Sequence, residues 1–152
     1  MVKRAYARFF MSAILAKLKR ILGIDPGSRK TGFGLIESGR YNPSYLVSGV
    51  VRVEKFSGAQ RLKNIFESIC QIIDQYQPDV MAVEKVFVYK NPKSAITLGQ
   101  ARGVILCAAA IKGVDIMEYT PTQIKSTIVG KGHAGKDRVE CTVIHILKLT
   151  DT

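Results

Sequence analysis

Two acids in this sequence stand where chemistry could begin. Asp25 closes the apolar run Ile21-Leu22-Gly23-Ile24, and Glu84 closes Val80-Met81-Ala82-Val83. Read as strands, each run carries one carboxylate at its end. Two such ends lying side by side would converge hard oxygen ligands at one edge of a sheet. Ligands of this kind suit Mg2+, which keeps several waters and also binds substrate phosphate. A pair of such ions about 4 Å apart can activate a water and stabilise the leaving oxygen in phosphodiester hydrolysis. That pair needs about three or four carboxylates, because four positive charges must be offset. Taken singly, either acid reads better as a solvated cap on a strand end, and Asp25-Pro26-Gly27 is a common turn.

The elements that would position these acids follow from pattern. Ile21–Asp25 is a short buried strand broken by Pro26-Gly27. Thr31–Glu37 returns as a second strand, with Gly32 and Gly34 leaving little bulk on one face. Tyr45–Val53 alternates as a third strand after Asn42-Pro43, so the three form an antiparallel meander. Leu62, Ile65, Phe66, Ile69, Ile72, Ile73 and Tyr76 make a 3.6-residue stripe on a helix over Gln60–Gln77. Val80–Glu84 is a fourth strand. Ser94 can cap a long apolar helix running to Lys112, and Asp115–Tyr119 reads as a fifth strand. Pro121 opens a short helix to Ile128, and a Gly-rich loop leads to a last helix over Lys136–Leu149. The expected class is α/β: a mixed five-stranded sheet with helices on both faces.

Composition narrows the partner. The formal net charge of the 152 residues is +11, which points to a polyanion, foremost nucleic acid. Six of those charges belong to residues 1–20, an acid-free leader with Phe9, Phe10, Ile14, Leu15 and Leu18 available for one helical face. An upstream start with Met11 as a second initiation point is the favoured reading of this leader. A transit peptide, a DNA-touching arm and a membrane-surface helix stay open. Cys70, Cys107 and Cys141 are odd in number and lack metal-ligand spacing, so buried free thiols in a reducing compartment are expected. No uninterrupted apolar run reaches the roughly 18–20 residues needed to cross a bilayer. A reducing compartment is the expected location, with organellar targeting by the leader as the minority reading.

Two motifs lead elsewhere and are set aside. Gly130 to Lys136 fits P-loop spacing until Asp137, which puts an anion where a Mg2+-binding hydroxyl belongs. His133 and His145 have no Cys or His at ligand spacing.

The letters around the two acids carry more. Asp25-Pro26-Gly27-Ser28-Arg29, then Thr31-Gly32-Phe33-Gly34, then Val83-Glu84-Lys85-Val86-Phe87 occur in order. Lys90-Asn91, Leu98-Gly99-Gln100-Ala101-Arg102-Gly103, Gln123-Ile124-Lys125 and Gly135-Lys136 follow. Together they resemble the RuvC family of Holliday-junction resolvases over Ile21 to Leu149. The resemblance implies a ribonuclease H-like fold, a homodimer and paired nicks across a four-way DNA junction. It implies Mg2+ as the ion, with Mn2+ able to substitute, and Asp25 and Glu84 as the first two metal-binding acids. Lys125 and Lys136 match basic residues needed for activity, and Phe87 matches an aromatic that meets bases at the junction centre. Lys85, Lys90 and Lys93 would track phosphates on the intervening loop. Handover from the RuvA-RuvB branch-migration complex is a further implication.

The same resemblance implies more acids from a helix beyond Leu147-Lys148-Leu149. Here only Thr150-Asp151-Thr152 follow. The expected organisation is therefore a leader at 1–20 and a nuclease domain at 21–152 that is C-terminally truncated. Junction binding is the firmer expectation and cleavage the weaker one. A non-catalytic junction-binding module and a ribonuclease H-like nuclease with another substrate are the competing readings.

Overall fold

The computed structural model describes residues 19–39, 42–85, 92–130, 132 and 134–149. Three strands come first, β1 (Arg20–Asp25), β2 (Lys30–Glu37) and β3 (Ser44–Arg52). Helix α1 (Gly58–Tyr76), strand β4 (Val80–Glu84), helix α2 (Pro92–Ile111) and strand β5 (Asp115–Tyr119) follow, and α3 (Pro121–Val129) and α4 (Lys136–Leu147) close the order. The sheet runs β3-β2-β1-β4-β5. The first three strands pair antiparallel as a meander, whereas β4 joins β1 and β5 joins β4 in parallel. Parallel neighbours require crossovers, and α1 and α2 supply them.

Strand alternation sends Leu22, Ile24, Leu35, Met81 and Val83 to one face, where all are buried. The α1 stripe Ile65, Ile69, Ile72 and Ile73 and the α2 residues Ala101, Ile105, Ala108 and Ala109 close over them. The small alanines let α2 approach closely. Arg20 ties the start of β1 to its neighbours: its backbone N–H donates to Asp79 at 2.8 Å and its guanidinium donates to the Tyr76 carbonyl at 2.9 Å.

The opposite face carries Ile21, Gly23, Gly34, Ile36 and Ala82, covered by α3 and α4 without one buried residue in either helix. An apolar hollow of about 360 Å3 remains between this face and Ile128, Val143, Ile146 and Leu147. Helices lie on both faces as expected, but they cover the two faces unequally.

Several boundaries differ from the sequence reading. Ser94 lies inside α2, whose described part begins at Pro92. Helix α4 stops at Leu147, where Lys148 turns into the left-handed region at φ 52°. The thiols are free, but only Cys70 is partly buried, and burial pushes its thiol up from the ordinary value. Cys107 and Cys141 are exposed, since each falls on the outward side of its helix. Helix α2 is long and apolar enough to cross a membrane by length and composition. Charged residues at Lys93 and Arg102 interrupt its run, and its alanine side belongs to the core.

Candidate active site

Asp25 and Glu84 stand together because β1 and β4 are parallel neighbours. Ile24 pairs with Val83, and each acid is the next residue on its strand. Both line one cavity of about 300 Å3, together with Gly23, Gly32, Tyr119 and Ile124. The glycines keep the floor of the cavity flat: a Cβ on Gly32 would lie 3.8 Å from that of Asp25. Asp25 is exposed and Glu84 half-buried.

The turn after Asp25 is built to hold its shape. A Cβ on Gly27 would fall 1.8 Å from the Lys30 carbonyl oxygen, so only glycine fits. Thr31, fully buried, donates its hydroxyl to the Gly27 carbonyl at 3.3 Å and accepts from the Gly27 N–H at 3.4 Å. The end of β4 is held across to β5, where the Lys85 N–H donates to the Tyr119 carbonyl at 2.7 Å. Directly after Tyr119, Thr120 and Gln123 form a reciprocal capping box that starts α3 and so brings Ile124 and Lys125 forward. Gly135 stands at the N-cap of α4, which places Lys136 in its first turn.

The electrostatics of Glu84 show that these parts converge. Partial burial pushes its carboxyl above the ordinary value, and the Asp25 carboxylate raises it further. Lys125 and Lys136 act in the opposite direction. The two acids at the ends of β1 and β4 thus have a cation from each of α3 and α4 within electrostatic reach of Glu84. Two facing carboxylates that repel each other fit a hydrated divalent cation, which would relieve the repulsion. Among the described residues, no group of three or more His, Cys, Asp and Glu side chains is placed to hold a metal.

Of the other anticipated residues, Lys85 is exposed just past β4, and Lys93 is the second residue of α2, also exposed. Phe87 and Lys90 lie outside the described residues, as do Lys131, His133 and the leader up to Leu18. His145 is exposed in the last turn of α4. Sequence reasoning missed Thr31 and Tyr119. The signal for Tyr119 was present, since it ends β5 opposite Glu84 in register.

The sheet order, with an acid at the end of each of two central parallel strands, defines a ribonuclease H-like nuclease. The solved structure "T. thermophilus RuvC in complex with Holliday junction substrate" superposes with a TM-score of 0.82 at 31% identity, over 88% of this chain and 82% of that one. Residues 21–152 match the family described as Crossover junction endodeoxyribonuclease RuvC. The RuvC protein of Hydrogenovibrio crunogenus is 78% identical over 138 residues, covering 91% of this chain and 80% of that relative. That of Pseudoalteromonas atlantica is 49% identical, over 87% and 76%. This chain belongs to the RuvC family of crossover junction endodeoxyribonucleases.

Proposed function

We propose that the chain binds four-way DNA junctions as a homodimer and nicks them symmetrically with the help of Mg2+, Mn2+ being able to substitute. The observation that carries this is the pairing of Asp25 and Glu84 at one open cavity, with Lys125 and Lys136 near enough to lower the Glu84 carboxyl. Nucleases of this family are metal-dependent. Asp25 and Glu84 would hold the ion, whose chemistry is to polarise the scissile phosphate and lower the pKa of water. Lys125 and Lys136 hold phosphate oxygens and offset the negative charge that grows as the phosphorus gains its fifth oxygen. Lys85, at the rim beside Glu84, engages a flanking phosphate, as do Lys90 and Lys93. Phe87 stacks on an unpaired base at the junction centre, a contact worth about 1–3 kcal/mol.

The dimer is supported by α2, whose Ile96 and Ile111 are 65% and 66% exposed on an otherwise apolar helix. A second copy of the chain would cover them and set two cavities on one junction. Loading by a branch-migration complex of the RuvA-RuvB kind, in the bacterial cytoplasm, completes the reading.

The test is cleavage of a synthetic mobile junction in Mg2+, beside Asp25→Asn and Glu84→Gln. Paired nicks lost in both variants establish the resolvase. The presence of only two converging acids among the described residues favours one competitor, a junction-binding module without cleavage. Tight structure-selective binding with no nicks in Mg2+ or Mn2+ would establish that instead.

A further inference from the structure

A second cluster of cations lies on the other side of the acid pair, apart from Lys85, Lys125 and Lys136. Asp25 pairs in register with Gly32, and Gly32 with Val50 on β3. Two residues further out along the same strands, on the same face, Lys30 and Arg52 stand opposite each other. That step is about 7 Å along a strand, about two phosphate steps along one strand of a duplex at roughly 3.4 Å each.

The chain beyond β3 is drawn to this place by a backbone bond. The Val53 N–H donates to the Arg29 carbonyl at 2.9 Å, fastening the turn after Asp25 to the end of β3. Arg29 and Lys55 therefore join Lys30 and Arg52 at one rim, and all four are exposed. The acid at this rim is Glu54, whose single carboxylate oxygen is shared by Lys30 at 3.4 Å and Arg52 at 3.7 Å. Such solvent-exposed pairs are weak and open readily to a better anion. Arg29 and Lys55 make no side-chain hydrogen bond or ion pair among the described residues. Between the rim and the acids the floor is Gly32 with exposed Val50, so nothing bulky obstructs a backbone lying across it.

We propose that Arg29, Lys30, Arg52 and Lys55 form a second phosphate-binding flank that grips a duplex arm of the junction on the β2–β3 side of the acid pair. This rests on the junction-binding reading above. The flank fixes where the scissile phosphate falls, by holding the arm at the Lys30 and Arg52 end of β2 and β3, the opposite end of β3 from the hollow it shares with α4.

The test compares wild type with the triple variant Arg29→Gln, Arg52→Gln, Lys55→Gln. Binding to a four-way junction without divalent metal is measured over a salt series, with a thermal melt as folding control. The wild-type plot of log affinity against log salt should lose about 0.9 in slope for each phosphate contact removed. A drop of about 2–3 is therefore expected, with junction affinity at least tenfold weaker at low salt. Shortening the arms to a few base pairs should abolish the difference. If the triple variant melts early, the single variants Arg29→Gln and Lys55→Gln carry the test, each expected to lower the slope by about one. An unchanged slope in a folded variant, with wild type still binding junctions, overturns the flank and leaves the proposed function standing. A wild type that ignores junctions overturns both.

Discussion

The two faces of the sheet are made to different specifications. One is packed: Leu22, Ile24, Leu35, Met81 and Val83 are sealed under α1 and α2. The other is sparse, floored by Gly23, Gly32, Gly34 and Ala82 and roofed by two helices with no buried residue. Strands that alternate between these faces serve two purposes at once. The residue that buries a side chain in the core fixes the position of its neighbour, which points into the open cavity. Stability is concentrated on one side, and the other stays open around the acid pair.

The comparison can be broken most severely at the acids. Asp25→Asn and Glu84→Gln should each lower junction nicking by at least about a hundredfold, more than loss of a group that merely supports a metal ligand. Neither should lower the melting temperature, because both sit on the sparse face. On the packed face the order reverses. Leu22→Ala should cost about 2–5 kcal/mol in denaturant unfolding through the cavity it leaves.

Thr31→Val sharpens the boundary between the two. It should cost about 1–3 kcal/mol by leaving the Gly27 N–H without its partner. It should also weaken metal binding, measured by titration calorimetry, because the turn that follows Asp25 loosens.

The pH dependence of Glu84 gives a smaller effect with a definite sign. Its carboxyl is raised in the folded protein, so the folded state binds the proton more readily than the unfolded state does. In the absence of metal, stability is then fullest below the ordinary carboxylate pKa and declines as pH rises through the raised one. Glu84→Gln should remove that decline, giving a metal-free melting temperature at neutral pH equal to or above wild type. Added Mg2+ should raise the wild-type value and not the variant's. The smallest effect belongs to Gly34→Ala. Its Cβ would meet nothing nearer than Ser48 Cβ at 4.0 Å, so unfolding should shift by less than about 1 kcal/mol.

Strands were the most legible part of the fold. The limits of β4 and β5 could be read to the residue, because Pro78-Asp79 and Glu84 bracket the first and Gly113 and Thr120-Pro121 bracket the second. The glycine-bare face was also legible, from Gly32 and Gly34 in one strand. Helix α2 was harder, since a helix apolar on nearly all sides does not reveal which side the core takes. Cys107 looked buried for that reason. At the site, Asp25 and Glu84 could be picked out from strand ends and neighbouring letters. The approach of Lys125 and Lys136 could not, because it depends on how two separate helices start. Thr31 was hidden for a related reason: an alternating strand does not say that one of its hydroxyls bonds back to a turn.

The pairing of β1 with β4 has a consequence in time. The meander of β1, β2 and β3 closes through local contacts, whereas β4 reaches β1 only after β2, β3 and α1 have been laid down between them. Pairings distant in sequence form late, since loop closure must precede any gain from contact. Asp25 and Glu84 therefore meet only once the centre of the sheet is complete. A nascent or half-folded chain has the two acids apart, and the pair that the proposed cleavage needs arrives together with the native sheet.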